Sequence, residues 1–192
     1  IDLPALSAPN KADSATTIKY QDTITIAAPA SKTGYTWNGW RGTYGSGSSM
    51  SITNNDDGSA TIIMPNGAIQ LVGNWTAIPY YVRYMNDTNS AHAGWGTITL
   101  NGSNVDAVTG VTVQFTYGDT LTQPVLSPAT DRYFLGFEYT DATGAINRTK
   151  DLSTLALTTD NFQLASPGSA SAPAVTLVAR WDMIISIVYA DG

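Results

Sequence analysis

Few residues in this chain are equipped for chemistry, and their contexts argue against it. His92 is the only histidine and Glu138 the only glutamate, and there is no cysteine. A nucleophilic triad would need His92 beside an activated serine. No Gly-x-Ser-x-Gly elbow in a strand–turn–helix setting accompanies it, so His92 reads as a surface or turn histidine. Asp13-Ser14 and similar pairs read as linker polars. Paired carboxylates for glycoside hydrolysis would have to come from Glu138 and aspartates. Asp56, Asp57, Asp141 and Asp160 all stand among Gly, Asn or Thr, a setting typical of solvated turns. The run Asn54-Asn55-Asp56-Asp57-Gly58 clusters oxygens that suit calcium. It lacks acids at every second position, and a hairpin turn explains it better. The absence of cysteine excludes disulfides, thiolate nucleophiles and cysteine metal sites, and leaves the compartment open. The expectation is a non-enzyme with no catalytic residues, no metal and no cofactor.

Other residues suit binding or cross-linking. Trp37, Trp40, Trp75, Trp95, Tyr80, Tyr81 and Tyr133 offer rings that stack on sugar faces. Most recur at motif positions, which favours a core role. Trp95 does not recur; it lies in Ala93-Gly94-Trp95-Gly96, read as an exposed loop, and is weighed as a carbohydrate or protein contact against packing on a neighbouring face. Lys19 and Lys150, the latter close to Glu138 in sequence, are weighed as halves of a Lys–Asn isopeptide bond against the simpler reading of solvated lysines. Asn74, Asn86, Asn101 and Asn147 each begin a glycosylation sequon, which composition alone accounts for and which matters only in a eukaryotic source.

The elements that must hold these residues are strands. The chain has 192 residues, 43% hydrophobic and only 12% charged, about half the roughly 25% of an average chain. Thr, Ser, Gly, Ala, Asn and Tyr fill the difference, a mix suited to extracellular β-proteins. The net charge of −6 leaves no basic surface for phosphates, so nucleic acid and anionic membranes are poor partners. No apolar run approaches the roughly 18 residues of a membrane span. With Ile1 as first residue and no signal peptide, the sequence reads as a fragment of a longer protein. Thr23-Ile24-Thr25-Ile26, Thr97-Ile98-Thr99-Leu100 and residues 111–115 alternate with period two, as half-buried strands do. Asn101-Gly102 and Asp57-Gly58 are hairpin dipeptides. Residues 152–157 allow a single helical turn, capped by Asp151.

One pattern is written twice. An offset of 97 takes Tyr20 to Tyr117, Asp22-Thr23-Ile24 to Asp119-Thr120-Leu121, Trp37 to Phe134, Gly39 to Gly136 and Trp40 to Phe137. An offset of 106 takes Leu71-Val72-Gly73-Asn74-Trp75 to Leu177-Val178-Ala179-Arg180-Trp181. The difference places nine extra residues in the second copy, assigned to a flexible surface loop at 166–173. Gly39 and Gly136 are expected to mark bulges whose bared backbone the neighbouring rings cover, while Trp75 and Trp181 plug the two cores. Predicted boundaries are an N-terminal extension at 1–17, a module at 18–78 lacking its opening strand, a second at 79–182, and the opening strand of a third at 183–192. The junction Ala77-Ile78-Pro79 is stiffened by proline, which predicts an elongated shape with little contact between modules. The unpaired edges left by the missing and surplus strands predict that the tail of one molecule completes the first module of another.

These residues resemble the Listeria–Bacteroides repeat family, the internalin-type B repeats of bacterial surface proteins and their divergent relatives. The first copy carries Pro29, then Gly34-Tyr35-Thr36-Trp37-Asn38-Gly39-Trp40, then Met64-Pro65 and Ile69-Gln70-Leu71 up to Trp75. The second lacks the Gly-Tyr and Met-Pro elements but closes on Val175-Thr176-Leu177-Val178-Ala179-Arg180-Trp181. The resemblance implies small all-β to β-grasp-like modules, arrayed outside the cell or on its wall. It implies a stalk or spacer whose partners are neighbouring repeats. The alternative is an adhesive module that contacts a host glycan or matrix protein through Trp95 or the loop at 42–51.

Overall fold

The computed structural model describes residues 6–7 and 18–185. The protein is nearly all-β. Among the described residues the only helical pieces are two 3-10 turns, Ser90–His92 and Leu152–Thr154, and none is long and apolar enough to cross a membrane. The chain divides into two compact units, Ile1–Ala77 and Ile78–Gly192.

In the first unit, β1 (Leu6–Ser7), β2 (Thr23–Ile26), β3 (Tyr35–Tyr44), β4 (Ser48–Ser49), β5 (Thr53–Asn54), β6 (Ala60–Ile63) and β7 (Ile69–Ala77) form two antiparallel sheets. Their orders are β1-β2-β6-β5 and β4-β3-β7. The alternation in Thr23-Ile24-Thr25-Ile26 turns both isoleucines inward, where Ile24, Ile26, Trp40, Ala60 and Ile62 make the core. Met50, Ile52, Ile69 and Leu71 pack against it half-buried.

In the second unit, β8 (Pro79–Met85), β9 (Gly96–Leu100), β10 (Ser103–Val105), β11 (Val111–Thr116), β12 (Val125–Pro128), β13 (Arg132–Thr140), β14 (Ile146–Thr149) and β15 (Val175–Met183) form a three-stranded sheet, β10-β9-β12, and a five-stranded one, β11-β8-β15-β13-β14. All pairs are antiparallel except the first and last strands, β8 and β15. These lie side by side and parallel, Val82 against Val175 through Met85 against Val178. The two sheets enclose a larger core built on Tyr84, Phe137, Leu177 and Trp181.

Local signals behave as their chemistry requires. Asn101 and Gly102 turn the β9–β10 hairpin at φ 50° and 79°, the positive values that a two-residue turn needs. Asp151 accepts from the Ser153 amide to cap the Leu152–Thr154 turn.

The loop at 166–173 is largely exposed, yet it is fastened along β8. Pro167 O accepts from Tyr81 N at 3.0 Å, and Arg83 reaches Ala170 O and Ser171 O at 2.9 and 3.0 Å. The strand expected over 183–192 lies outside the described residues apart from its first three; Met183 ends β15, and Ile184 N donates to Asp131 O at 2.9 Å. The N-terminal extension lies outside them too, apart from β1.

Candidate functional site

Both units are built around one local device. In the first, Trp37 pairs with Trp75 and Trp40 with Gly73, with a bulge between the two tryptophans. In the second, Phe134 pairs with Trp181 and Phe137 with Ala179, with a bulge before Gly136. The pairings join the residues that the two sequence offsets relate, one on each strand. The rings follow suit. Trp37 lies 5.2 Å from Trp40 and 4.9 Å from Trp75; Phe134 lies 4.9 Å from Phe137 and 5.4 Å from Trp181. Edge-on and tilted contacts at these distances are the favoured aromatic geometries.

The bared backbone at the bulge is covered differently from the sequence expectation. Gly39 sits at φ 95°, and a Cβ there would fall 2.6 Å from the Asn54 side chain. Asn54 Oδ1 accepts from Trp40 N at 2.6 Å and its Nδ2 donates to Trp40 O at 3.2 Å. The side-chain amide thus stands in for a ladder partner at the point where the bulge interrupts pairing. At Gly136 the corresponding space holds the Arg148 side chain and the Thr149 carbonyl of β14. An amide and an arginine stem, not the neighbouring rings, fill the gap. Trp181 is buried as expected, but Trp75 is only half-buried, because β7 lies at the edge of its sheet whereas β15 is flanked on both sides.

A second device belongs to the second unit. Beyond Met85 the β8–β15 seam continues through side chains. Trp181 Nε1 donates to Asn86 Oδ1 at 2.8 Å, and Trp181 N to Asp87 Oδ2 at 3.5 Å. Arg180 donates to Asp87 Oδ1 at 2.9 Å and, from its other nitrogen, to Glu138 Oε1 at 2.7 Å. Arg148 donates to Glu138 Oε2 at 2.9 Å. One chain of ion pairs therefore runs from Asp87, just past the end of β8, across β15, β13 and β14. The Asp87 side chain is only 3% exposed. Burial opposes its ionisation and is the largest single influence, but the Asn89 amide, His92 and Arg180 together outweigh it and hold the carboxyl below its ordinary range. Glu138 is also held low, first by Arg180 and then by Arg148.

His92 belongs to this cluster. Its Nδ1 lies 2.8 Å from Asp87 Oδ2, and its Nε2 lies 3.3 Å from Asn89 Nδ2. An ionised carboxylate only accepts, and an amide nitrogen only donates. The hydrogen bonds therefore place the proton on Nδ1 and aim the Nε2 lone pair at Asn89. The nitrogen that a general base would use faces an amide, not a serine hydroxyl. The ring stacks on Trp95 at 4.0 Å, and the Arg132 guanidinium lies 4.5 Å from the same indole. Trp95 also packs against the core.

The remaining predicted positions are scattered. Asp57 binds Ser59 through its amide and hydroxyl, and Asp141 binds Thr143 in the same way. Asn54 thus serves the Trp40 backbone and Asn55 and Asp57 serve the turn, and no group of three metal-ligating residues occurs among the described residues. Asp160 is exposed in a turn. Lys19 and Lys150 are exposed, and Glu138 is paired with arginines. Asn86 is engaged by Trp181 and Gly96. Near the loop at 42–51, a groove of about 600 Å3 is lined by Tyr20, Tyr44, Met50, Ile63, Met64 and other residues.

Sequence reasoning missed the Asp87–Arg180–Glu138 chain. One signal was present: Arg180 is the only charge in Val175-Thr176-Leu177-Val178-Ala179-Arg180-Trp181, an otherwise buried-strand pattern.

Compared with known proteins, the chain matches no family model, no curated protein and no solved structure.

Proposed function

We propose that this protein is a non-enzymatic stalk or spacer segment, built from two tandem β-grasp-like repeats of the internalin B-repeat type and displayed outside a bacterial cell. One observation carries the reading: the first and last strands of the second unit are parallel neighbours. Tension applied through the chain draws β8 by its N-terminal end and β15 by its C-terminal end. In a parallel pair those ends are opposite, so the ladder is sheared and its bonds resist together rather than opening one at a time. The Asp87–Arg180–Glu138 pairs extend that resistance past the ladder. The repeat assignment is supported by the shared bulge and aromatic triad. The β-grasp-like assignment is supported by a mixed sheet with its first and last strands at the centre.

Single-molecule pulling on the full chain tests the reading, using cysteine handles in a protein that has none of its own. Handles at positions 79 and 183 load the seam in shear, while handles at 79 and 172 peel it from one end. The shear geometry should withstand a clearly higher force; equal forces would sink the proposal.

A second reading, an adhesive module, is favoured by the groove in the first unit, where Tyr20 is 63% and Ile63 64% exposed. Rings and apolar edges left in water at this density suit a sugar face or a peptide. The probe is a glycan array together with a panel of matrix proteins. A hit lost in Tyr20→Ala supports this reading, and a hit unaffected by that change removes the groove from it.

A further inference from the structure

The two units differ at one edge. In the second, β15 is paired on both sides, by β13 and by β8, and Val175, Leu177, Ala179 and Trp181 are buried. In the first, the equivalent strand β7 pairs with β3 alone among the described residues. Its matching positions Ile69, Leu71, Gly73 and Trp75 remain half-buried, and Val72 is 57% exposed. The offset of 106 that relates Trp75 to Trp181 sets Ile69–Val72 against Val175–Val178, the four residues of β15 that pair with Val82–Met85 of β8. An edge with unpaired ladder groups and half-covered apolar side chains is a template for another strand.

We propose that this edge of β7 is a strand acceptor and that it takes residues 184–189 of a second copy, laid parallel as β8 lies on β15. The donor follows Trp181 as β8 follows Trp75, one residue sooner, and its apolar residues Ile185, Ile187 and Tyr189 alternate with the same period two as Tyr80, Val82 and Tyr84 on the buried face of β8. Neither donor nor acceptor carries a charge, so nothing opposes their pairing. Ile184 is tied to Asp131 at the end of its own unit, so the donor strand starts with no linker ahead of it. Donor and acceptor are different surfaces, so the contact is head-to-tail and propagates instead of closing as an isologous dimer. The proposal rests on the matched pairing of the two units, not on the stalk reading.

The test is light scattering over a concentration series on the full chain, on a chain ending at Met183, and on full-length Ile187→Lys. The full chain should rise in mass with concentration while the other two remain monomeric. Adding a synthetic peptide of residues 184–192 to the shortened chain should shift the amide signals of Ile69–Val72 and slow their exchange. Association that survives truncation would overturn the proposal, as would a peptide that moves none of those four signals. A full chain that stays monomeric with Ile69–Val72 already protected would also overturn it, because the donor would then come from the same chain.

Discussion

Asp87 and Arg180, 93 residues apart in sequence, meet at 2.9 Å just beyond the end of the only parallel strand pair among the described residues. The carboxylate is almost fully buried and every contact it makes comes from a donor: the amide of Asn89, the ring of His92, the guanidinium and, at longer range, the amide of Trp181.

Replacing Asp87 with alanine should therefore cost more than a surface ion pair would. Removing one partner of a buried pair typically costs about 3–5 kcal/mol, and the partial exposure of Arg180 lowers the expectation to roughly 2–3 kcal/mol. The midpoint of urea unfolding of the second unit should fall accordingly, with an unchanged slope. A loss below about 0.5 kcal/mol, the range of an ordinary surface change, would remove Asp87 from the seam.

The same cluster sets an acid limit. Asp87 and Glu138 titrate below their ordinary values of 3.8 and 4.5 in the folded state. A group whose folded pKa is depressed contributes stability above its unfolded pKa and loses it as pH falls through the folded one. Stability from these two carboxyls should be full above about pH 5 and decline through pH 4 and below. Thermal unfolding at pH 6, 4 and 3 measures the decline. A double variant, Asp87→Asn with Glu138→Gln, should start lower and lose less over that interval.

Gly39→Ala should destabilise the first unit by about 1–3 kcal/mol, because a Cβ meets the Asn54 amide at a backbone angle that L-residues avoid. The readout is the unfolding midpoint of the first unit, with the amide signals of Trp37 and Trp40 shifting most. A neutral result would mean that the bulge tolerates a side chain.

Asn54→Ala tests the amide that bridges the bulge. It leaves the Trp40 backbone N–H and C=O without their partner, at a cost of about 1–3 kcal/mol. Amide exchange at Trp40 should accelerate markedly. Unchanged protection would show that Trp40 is shielded by burial alone.

Much of the local structure was legible because it depends on neighbours in sequence. The alternation at 23–26, 97–100 and 111–115 marks strands, since a pleated chain turns successive side chains to opposite faces. Asn101-Gly102 makes a hairpin because those residues accept positive φ cheaply, and Asp151 caps a turn because its side chain reaches an amide two residues on. The recurring aromatic and glycine positions marked where each unit would bulge.

What covers the bulge was not legible. Asn54 looked like part of a hairpin turn, and only the approach of β5 to β3 brings its amide to Trp40. Asn86-Asp87-Thr88 read as a sequon; its burial and its pairing with Arg180 follow from the placement of β8 beside β15, with most of the second unit folded between them. The tie between the 166–173 loop and Arg83 has the same origin. By itself the sequence determined that this is a strand-built chain with one aromatic pattern written twice, because periodicity and turn chemistry act over a few residues. Tertiary structure alone decided that the second unit joins its first and last strands in parallel and that β7 keeps an edge without a strand partner among the described residues. Long-range register is set by how whole faces pack, and no short stretch of sequence contains that information.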